Sequence, residues 1–569
     1  MKTRSFPFPA QLSGVALGLF ALVGCWTLTT LLAAAPAVAQ ETTQDGHELE
    51  SDWLVDEERD QRYRVAKVPK IEGTYRWVDD ATVRFRHGIY FDVVNHDDEW
   101  FWVKHWESVR SEIPPPPPSE TPEARKERIV AAYEYDIPTA DRLVFEGFEE
   151  GLPKSGQWRQ GFDIADANND GHLDIVYGPP RKTTRPVPHI YLGDGAGNWK
   201  LWTDVNYPRA PYDYGDAAAG DFNGDGLTDL VFGVHLRGMV AMVADGEGGF
   251  DLWSEGIGID HPGRGGDATN FSSRAVDVID WNKDGKLDIL ALGEGPKGRK
   301  SGPKGQISGE IINNSRGLVV FLNQGDGTWV PERPGDEVGM SFDFGDGFAR
   351  GDFNRDGKTD IALASRRMSS RGMLGIYGDE GLWMTHNLDP LRPRSFVGAV
   401  ATADIDGDGG DELVVGYQSH EEDDVVRTGI DVFYAGDDLA WERRPVLVSE
   451  GRRGVYAVET GDIDGDGAID IVAVTGDAEV WALLGDGNGS FVREEVNESP
   501  AVTRGCRGYG LRLEDLDGDG GDEIVVSFAG EQTGFPGIEG MSSPGCERQG
   551  SLRAWKAVAK TTPAATSAP

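Results

Sequence analysis

Apolar residues in this chain come in short bursts, not in helical stripes. Seven apolar pairs recur: Ile175-Val176, Leu230-Val231, Ile289-Leu290, Ile361-Ala362, Leu413-Val414, Ile471-Val472 and Ile524-Val525. Each follows at once on a polar stretch rich in Asp and Gly. Upstream of each lies a run of small or apolar residues, as in Val397–Ala403 and Gly454–Val458. Runs this short, bounded by turn formers, predict β-strands. A second kind of burst surrounds a Gly-rich turn: YLGDGAGNW (Tyr191–Trp199), MVADGEGGF (Met242–Phe250), FLNQGDGTW (Phe321–Trp329) and LLGDGNGSF (Leu483–Phe491). Gly and Asp suit turns that need positive φ, and the aromatic restarts a strand. One unit therefore reads strand, polar loop, strand, long loop, strand, Gly-rich turn, strand.

The polar loop before each apolar pair obeys one nine-residue pattern: Asp, skip, Asp/Asn, skip, Asp, Gly, skip two, Asp/Glu. Copies start at Asp166, Asp221, Asp280, Asp352, Asp404, Asp462 and Asp515, at spacings of 55, 59, 72, 52, 58 and 53 residues. Oxygens at alternate positions of a tight loop converge on one point, and calcium accepts six to eight oxygens at roughly 2.3–2.6 Å. In the first copy Asp166, Asn168 and Asp170 would give side-chain oxygens and His172 its backbone carbonyl. Asp174 would close the shell with both oxygens. The later copies assign Asp221, Asn223, Asp225, Leu227 and Asp229; Asp280, Asn282, Asp284, Lys286 and Asp288; and Asp352, Asn354, Asp356, Lys358 and Asp360. They continue with Asp404, Asp406, Asp408, Gly410 and Glu412; Asp462, Asp464, Asp466, Ala468 and Asp470; and Asp515, Asp517, Asp519, Gly521 and Glu523. The closing acid runs into β-branched residues, so a strand follows, not the helix of an EF-hand. Two carboxylates about 4 Å apart repel by roughly 4 kcal/mol at an effective dielectric near 20, which a structural calcium would relieve.

These units resemble FG-GAP/VCBS repeats, as in the N-terminal propeller of integrin α chains. The resemblance covers about residues 152–558. It implies an all-β fold: a seven-bladed β-propeller of four-stranded antiparallel blades, with up to seven structural Ca2+ ions. In the integrin pattern only some blades carry the metal loop, whereas here all seven do. The resemblance says little about the ligand, because function sits in loops grafted on the fold.

The rest of the chain divides by composition. Residues 1–39 read as a secretory signal: Lys2 and Arg4, an apolar run over about 15–34, then Ala37-Val38-Ala39. Leu22-Val23-Gly24-Cys25 also resembles a lipobox that would put a lipid on Cys25, and an uncleaved anchor is a third reading. All three place the body outside the cytoplasm. Residues 40–70 are polar and charged and read as disordered. Residues 71–113 alternate aromatic, aliphatic and charged positions and read as a small β subdomain. Residues 114–151 read as a Pro-rich linker and a short helix over about 121–135, and 559–569 as a disordered tail. Cys506 and Cys546 form either a disulfide or two buried thiols.

The net charge is −41, and since Lys2 and Arg4 are the first forty residues' only charges, the remainder carries −43. Such a chain is a poor nucleic-acid binder. Against this background Arg159, Arg274, Arg394, Arg453 and Arg507 sit at the starts of repeats, on the face opposite the calcium loops. There they either form a positive ring for an acidic glycan or acidic protein segment, or pair with neighbouring acids as structural ions. No GxSxG elbow, HExxH helix, P-loop or nucleotide fingerprint is present. The expected function is non-catalytic recognition or adhesion. A calcium-dependent polysaccharide lyase or hydrolase, and a cell-surface scaffold, are the alternatives.

Overall fold

The computed structural model describes the strands within 51–108 and residues 137–560, except 182, 236–237, 258–271, 294, 302–306, 316, 334–346, 354, 365–372, 379–380, 388–394, 421–425, 436–440, 451–453, 497–505 and 531–549. The chain forms two compact units, Met1–Pro115 and Pro116–Pro569. Every described element is a strand. The expected signal, the helix over 121–135 and the tail beyond 560 lie outside the described residues.

The described residues of the first unit form one six-stranded sheet. Its order is Ser51–Asp56, Gln61–Lys67, Glu99–Ser108, Tyr90–His96, Thr82–Phe85, Tyr75–Trp77. The first two strands fall within 40–70, the segment read as disordered. Their sequences alternate strand-fashion, with Trp53 and Val55 in one and Tyr63 and Val65 in the other, inside a polar background that masks the signal.

The second unit holds seven four-stranded antiparallel sheets, the blades of a β-propeller. The innermost strands are Phe162–Ala165, Ala217–Gly220, Ser273–Ile279, Phe348–Gly351, Ser395–Ala403, Val455–Gly461 and Arg507–Glu514. Each pairs with a second strand that begins on the closing acid of its polar loop, as in Ala165 opposite Asp174 and Gly461 opposite Asp470. Strands within a blade follow chain order from the centre outward, with two departures. A hairpin, Gly295–Ser301 with Ile307–Ser315, is inserted in the third blade. The seventh blade takes its outermost strand from upstream: Leu143–Gly147 pairs antiparallel with Leu552–Ala559. That strand lies inside 114–151, the segment whose composition reads as linker. The propeller therefore starts before residue 152, because the last blade is otherwise one strand short.

The apolar pairs now have a physical reason. Successive residues of a strand point to opposite faces of the sheet, so each pair serves two neighbours. Ile175 packs with Leu516 and Val525 of the seventh blade, whereas Val176 packs with Leu230 and Phe232 of the second. The rule repeats around the ring, down to Ile524 facing the sixth blade and Val525 facing the first. Among the described residues the buried apolar side chains form seven clusters, one per interface between adjacent blades.

Candidate metal loops and channel

All seven polar loops share one backbone. Gly at position six has positive φ throughout, as at Gly171 (92°) and Gly520 (97°). Position four is also left-handed: Gly in four loops, but Asn169, Lys283 and Arg355 in the others, at 58°, 59° and 59°. The first-position carboxylate nucleates the turn. Asp166 accepts from the amides of Asp170 (2.9 Å) and Gly171 (2.8 Å), and Asp462 does the same with Asp466 and Gly467. The seventh position gives its amide to the fifth-position acid, as His172 does to Asp170 at 3.0 Å.

The closing acid differs from the expectation of two oxygens on a metal. It is buried, and in four of the five Asp-closed loops both oxygens accept backbone amides. Asp174 Oδ2 takes the amide of Ala167 (3.0 Å), and Oδ1 that of Gly193 on the third strand (2.9 Å). Asp229, Asp288 and Asp470 repeat this with Ala244, Asn323 and Gly485. The acid thus joins loop, second strand and third strand. Burial pushes the carboxyls of Asp174, Glu412, Asp470 and Glu523 up to about 7, and that of Asp229 up to about 6.

Three loops gather carboxylates tightly. Asp404, Asp406 and Glu412, then Asp462, Asp464 and Asp470, then Asp515, Asp517 and Glu523 each bring three ligand atoms within 4.8 Å of one another. These are positions one, three and nine, and they are groups able to hold a metal ion. The fifth-position acids stand outside these groups. Two loops also hold orphaned oxygens: Asp404 Oδ1, Asp406 Oδ1 and Glu523 Oε1 are buried without a hydrogen bond. A buried carboxylate oxygen with no donor is costly, and a hard cation supplies what is missing, so these residues fit calcium. The first four loops carry Asn at position three; Asn168 donates to Asp170 at 2.9 Å. Asn354 lies outside the described residues.

Within the ring the innermost strands enclose a cavity of about 350 Å3. Its polar side chains fasten blade to blade. Asp163 Oδ2 accepts the amide of Ala219 (2.8 Å), and Asp216 Oδ2 that of Val276 (3.3 Å). Arg350 reaches Asp277 at 2.7 Å, Thr402 donates to the carbonyl of Arg350, and Thr460 donates to that of Thr402 at 2.9 Å. Arg512 bonds Glu459 at 2.8 Å and lies 3.9 Å from Asp163, closing the circle. Burial raises the carboxyls of Asp163, Asp277 and Glu459, and that of Asp216 to about 7. Burial also works against the charge on Arg512, but Glu459, Asp216, Asp163 and Asp277 hold it above its usual range.

The channel mouth at the start of these strands carries Arg159, Arg274 and Arg507. Arg159 stacks over Tyr214 (5.7 Å) and Tyr509 (5.3 Å), and Arg181 over Tyr214 at 5.5 Å. Arg507 lies over Tyr456 and donates to its hydroxyl at 3.0 Å, while Tyr456 meets Tyr509 edge-on at 5.9 Å. Arg159 and Arg507 are thus joined through aromatic rings. Arg507 is largely buried, so it belongs to the wall of the mouth. Bulges set this up: register slips at Arg274, Gly398, Tyr456 and Tyr509 re-aim those residues. No sequence pattern marked the tyrosines. Arg394 and Arg453 lie outside the described residues, as does Cys546, while Cys506 is disulfide-bonded.

With this geometry in hand, likeness to known proteins becomes informative. The FG-GAP-like repeat family matches residues 166–232 and 430–526. The chain carries FG-GAP-like repeats. It is also similar to cartilage acidic protein 1 of Homo sapiens, 29% identical over 246 residues, which cover 40% of this chain and 37% of that protein. The mouse protein of the same name is 30% identical over 201 residues, covering 34% of this chain and 30% of its own length. The match therefore spans well under two thirds of either relative. No described helix is long and apolar enough to cross a membrane.

Proposed function

We propose that the chain is an exported, calcium-stabilised β-propeller that recognises an anionic partner without catalysis, through the channel mouth opposite the metal loops. The partner class is an acidic glycan or an acidic protein segment. One observation carries this reading. Register slips in four blades aim residues at one mouth, and there Arg159, Arg181 and Arg507 stack with Tyr214, Tyr456 and Tyr509. Guanidinium groups match carboxylate or sulfate with a planar fork of donors, and tyrosine rings offer flat apolar area to a sugar face. Calcium is the cation that fits the loops, since their ligands are all oxygens. Its ~10⁻⁴–10⁻³ M affinity in extracellular modules suits export.

The test is retention on immobilised polyuronate and on sulfated glycan, against a neutral glycan. Wild type should be retained by the acidic polymers and released by salt. Arg159→Glu with Arg181→Glu should abolish retention while circular dichroism stays unchanged. Retention of that double variant equal to wild type would rule the mouth out. Release of shortened or unsaturated sugar ends would replace recognition by catalysis.

A further inference from the structure

The seven loops are not equivalent, and the difference lies in one side chain. Lys556 sits on the third strand of the seventh blade, one residue past the partner of Ile524. The matching positions in the other blades are Leu192, Val243, Leu322, Gly378, Tyr434 and Leu484. None of these carries a charge. Lys556 instead sends its ammonium into the seventh loop. Its Nζ bonds Asp517, lies 2.6 Å from Asp519 Oδ2 and stands 3.7 Å from Glu523 Oε1. The contact with Glu523 matters, because that oxygen is buried and has no hydrogen bond of its own. In the first, second, third and sixth blades the corresponding Asp oxygen takes a third-strand amide, as Asp174 does from Gly193. The extra methylene of Glu523 places its free oxygen toward Lys556.

Other basic residues touch loops more lightly. Lys286 bonds a fifth-position acid, Asp284, at 2.8 Å, and Arg355 bonds Asp408 of the next blade. Both approach the one acid that stands outside the converging set. Lys556 alone among these reaches two acids of the converging group, Asp517 and Glu523.

We infer that Lys556 is the resident cation of the seventh loop and the residue that sets its metal specificity apart. An ammonium with three donors satisfies carboxylates without the tight shell that a divalent ion demands. Calcium must expel it before binding there, so this loop fills last. The inference rests on the calcium reading of the loops, and the experiment separates the two.

Wild type, Lys556→Leu and Lys556→Arg are stripped of metal, then titrated with Ca2+ by calorimetry, with bound calcium counted by elemental analysis. Lys556→Leu copies the residue of the first, third and sixth blades, and it should bind one site roughly tenfold or more tighter than wild type, as loss of a competing charge predicts. Lys556→Arg should keep the wild-type isotherm. In wild type, Lys556 should resist amine labelling in chelator and react once calcium saturates. This arm needs no variant, so a misfolded Lys556→Leu would not rescue the idea. Equal, non-zero isotherms for wild type and Lys556→Leu would overturn the inference while leaving the calcium reading standing. Labelling of Lys556 that ignores calcium would do the same. Absence of calcium binding in all three proteins would overturn both.

Discussion

At the scale of single residues, the closing acid of each loop is where structure and chemistry meet. In six of the loops its carboxyl lies above the ordinary unfolded value of roughly 4: about 7 for Asp174, Glu412, Asp470 and Glu523. A carboxyl raised by folding stabilises the fold only while protonated. Its contribution is full at low pH and is lost as pH rises from about 4 through 7. Metal-free protein should therefore melt at a lower temperature at pH 8 than at pH 5.5. Calcium, which binds the ionised form, should reverse that trend. Melting curves in chelator and in calcium across pH 5–8 check both signs, and a metal-free melting temperature that climbs with pH would contradict the account. Glycine gives a second residue-scale test. Gly224 has φ of 76° and open space where a Cβ would go, so Gly224→Val should cost about 1–2 kcal/mol from backbone strain alone. At Gly508 a Cβ would lie 1.7 Å from Val474 Cγ1, so Gly508→Ala should cost more, as overpacking does. Urea melts rank the two. The loop ligands were legible in the sequence because a metal loop is local: its donors lie within nine residues. The left-handed fourth position was hidden where Asn169, Lys283 and Arg355 occupy it.

At the scale of elements, a strand's meaning depends on which partners reach it. The apolar pairs announced buried strands, and their alternation fixes which neighbour each side chain serves. What stayed hidden is non-local. The register slips that aim Arg274, Tyr456 and Tyr509 at the channel mouth arise from pairing between strands, and a slip leaves no signature in a run of residues. Strand Leu143–Gly147 looked like linker because its sequence, LVFEG, is brief and its partner lies at the far end of the chain. Phe145 is nonetheless buried beside Trp555 and Val472. Phe145→Ala should cost about 3–5 kcal/mol, and deleting 143–147 should lower the melting temperature far more than deleting residues before 137. Differential scanning calorimetry on the two truncations decides it. Equal melting temperatures would mean that the strand adds nothing to the seventh blade.

At the scale of the whole molecule, seven apolar interfaces lie outside and one ring of polar contacts lies inside. The ring is asymmetric: Asp163, Asp216, Asp277 and Glu459 face two guanidinium groups, Arg350 and Arg512. Arg512→Met would leave the half-buried Glu459 and Asp163 without their counter-ion, and losing a hydrogen bond between charged groups costs roughly 1.5–3 kcal/mol. The loss should be large at pH 8 and shrink at pH 5, where the raised carboxyls take up protons, as chemical denaturation at both values will show. An equal loss at both would argue that Arg512 acts through packing. Sequence alone gave no hint of this ring, because its members sit one per blade and meet only when the circle is complete.

Completion of the circle has a consequence in time. Glu149 and Arg553 form an ion pair across 404 residues of chain, and the strand just before Glu149 is the outer edge of the last blade. A ribosome makes that strand before every other propeller strand and its partner after all of them. Six blades can assemble while the chain is still emerging, but the seventh cannot. Until Leu552–Ala559 has been made, Leu143–Gly147 must wait with its hydrogen-bonding edge unspoken for. Slow, late closure of this kind is typical of contacts so distant in sequence. Among propeller parts, the first strand made is thus the last to find its place.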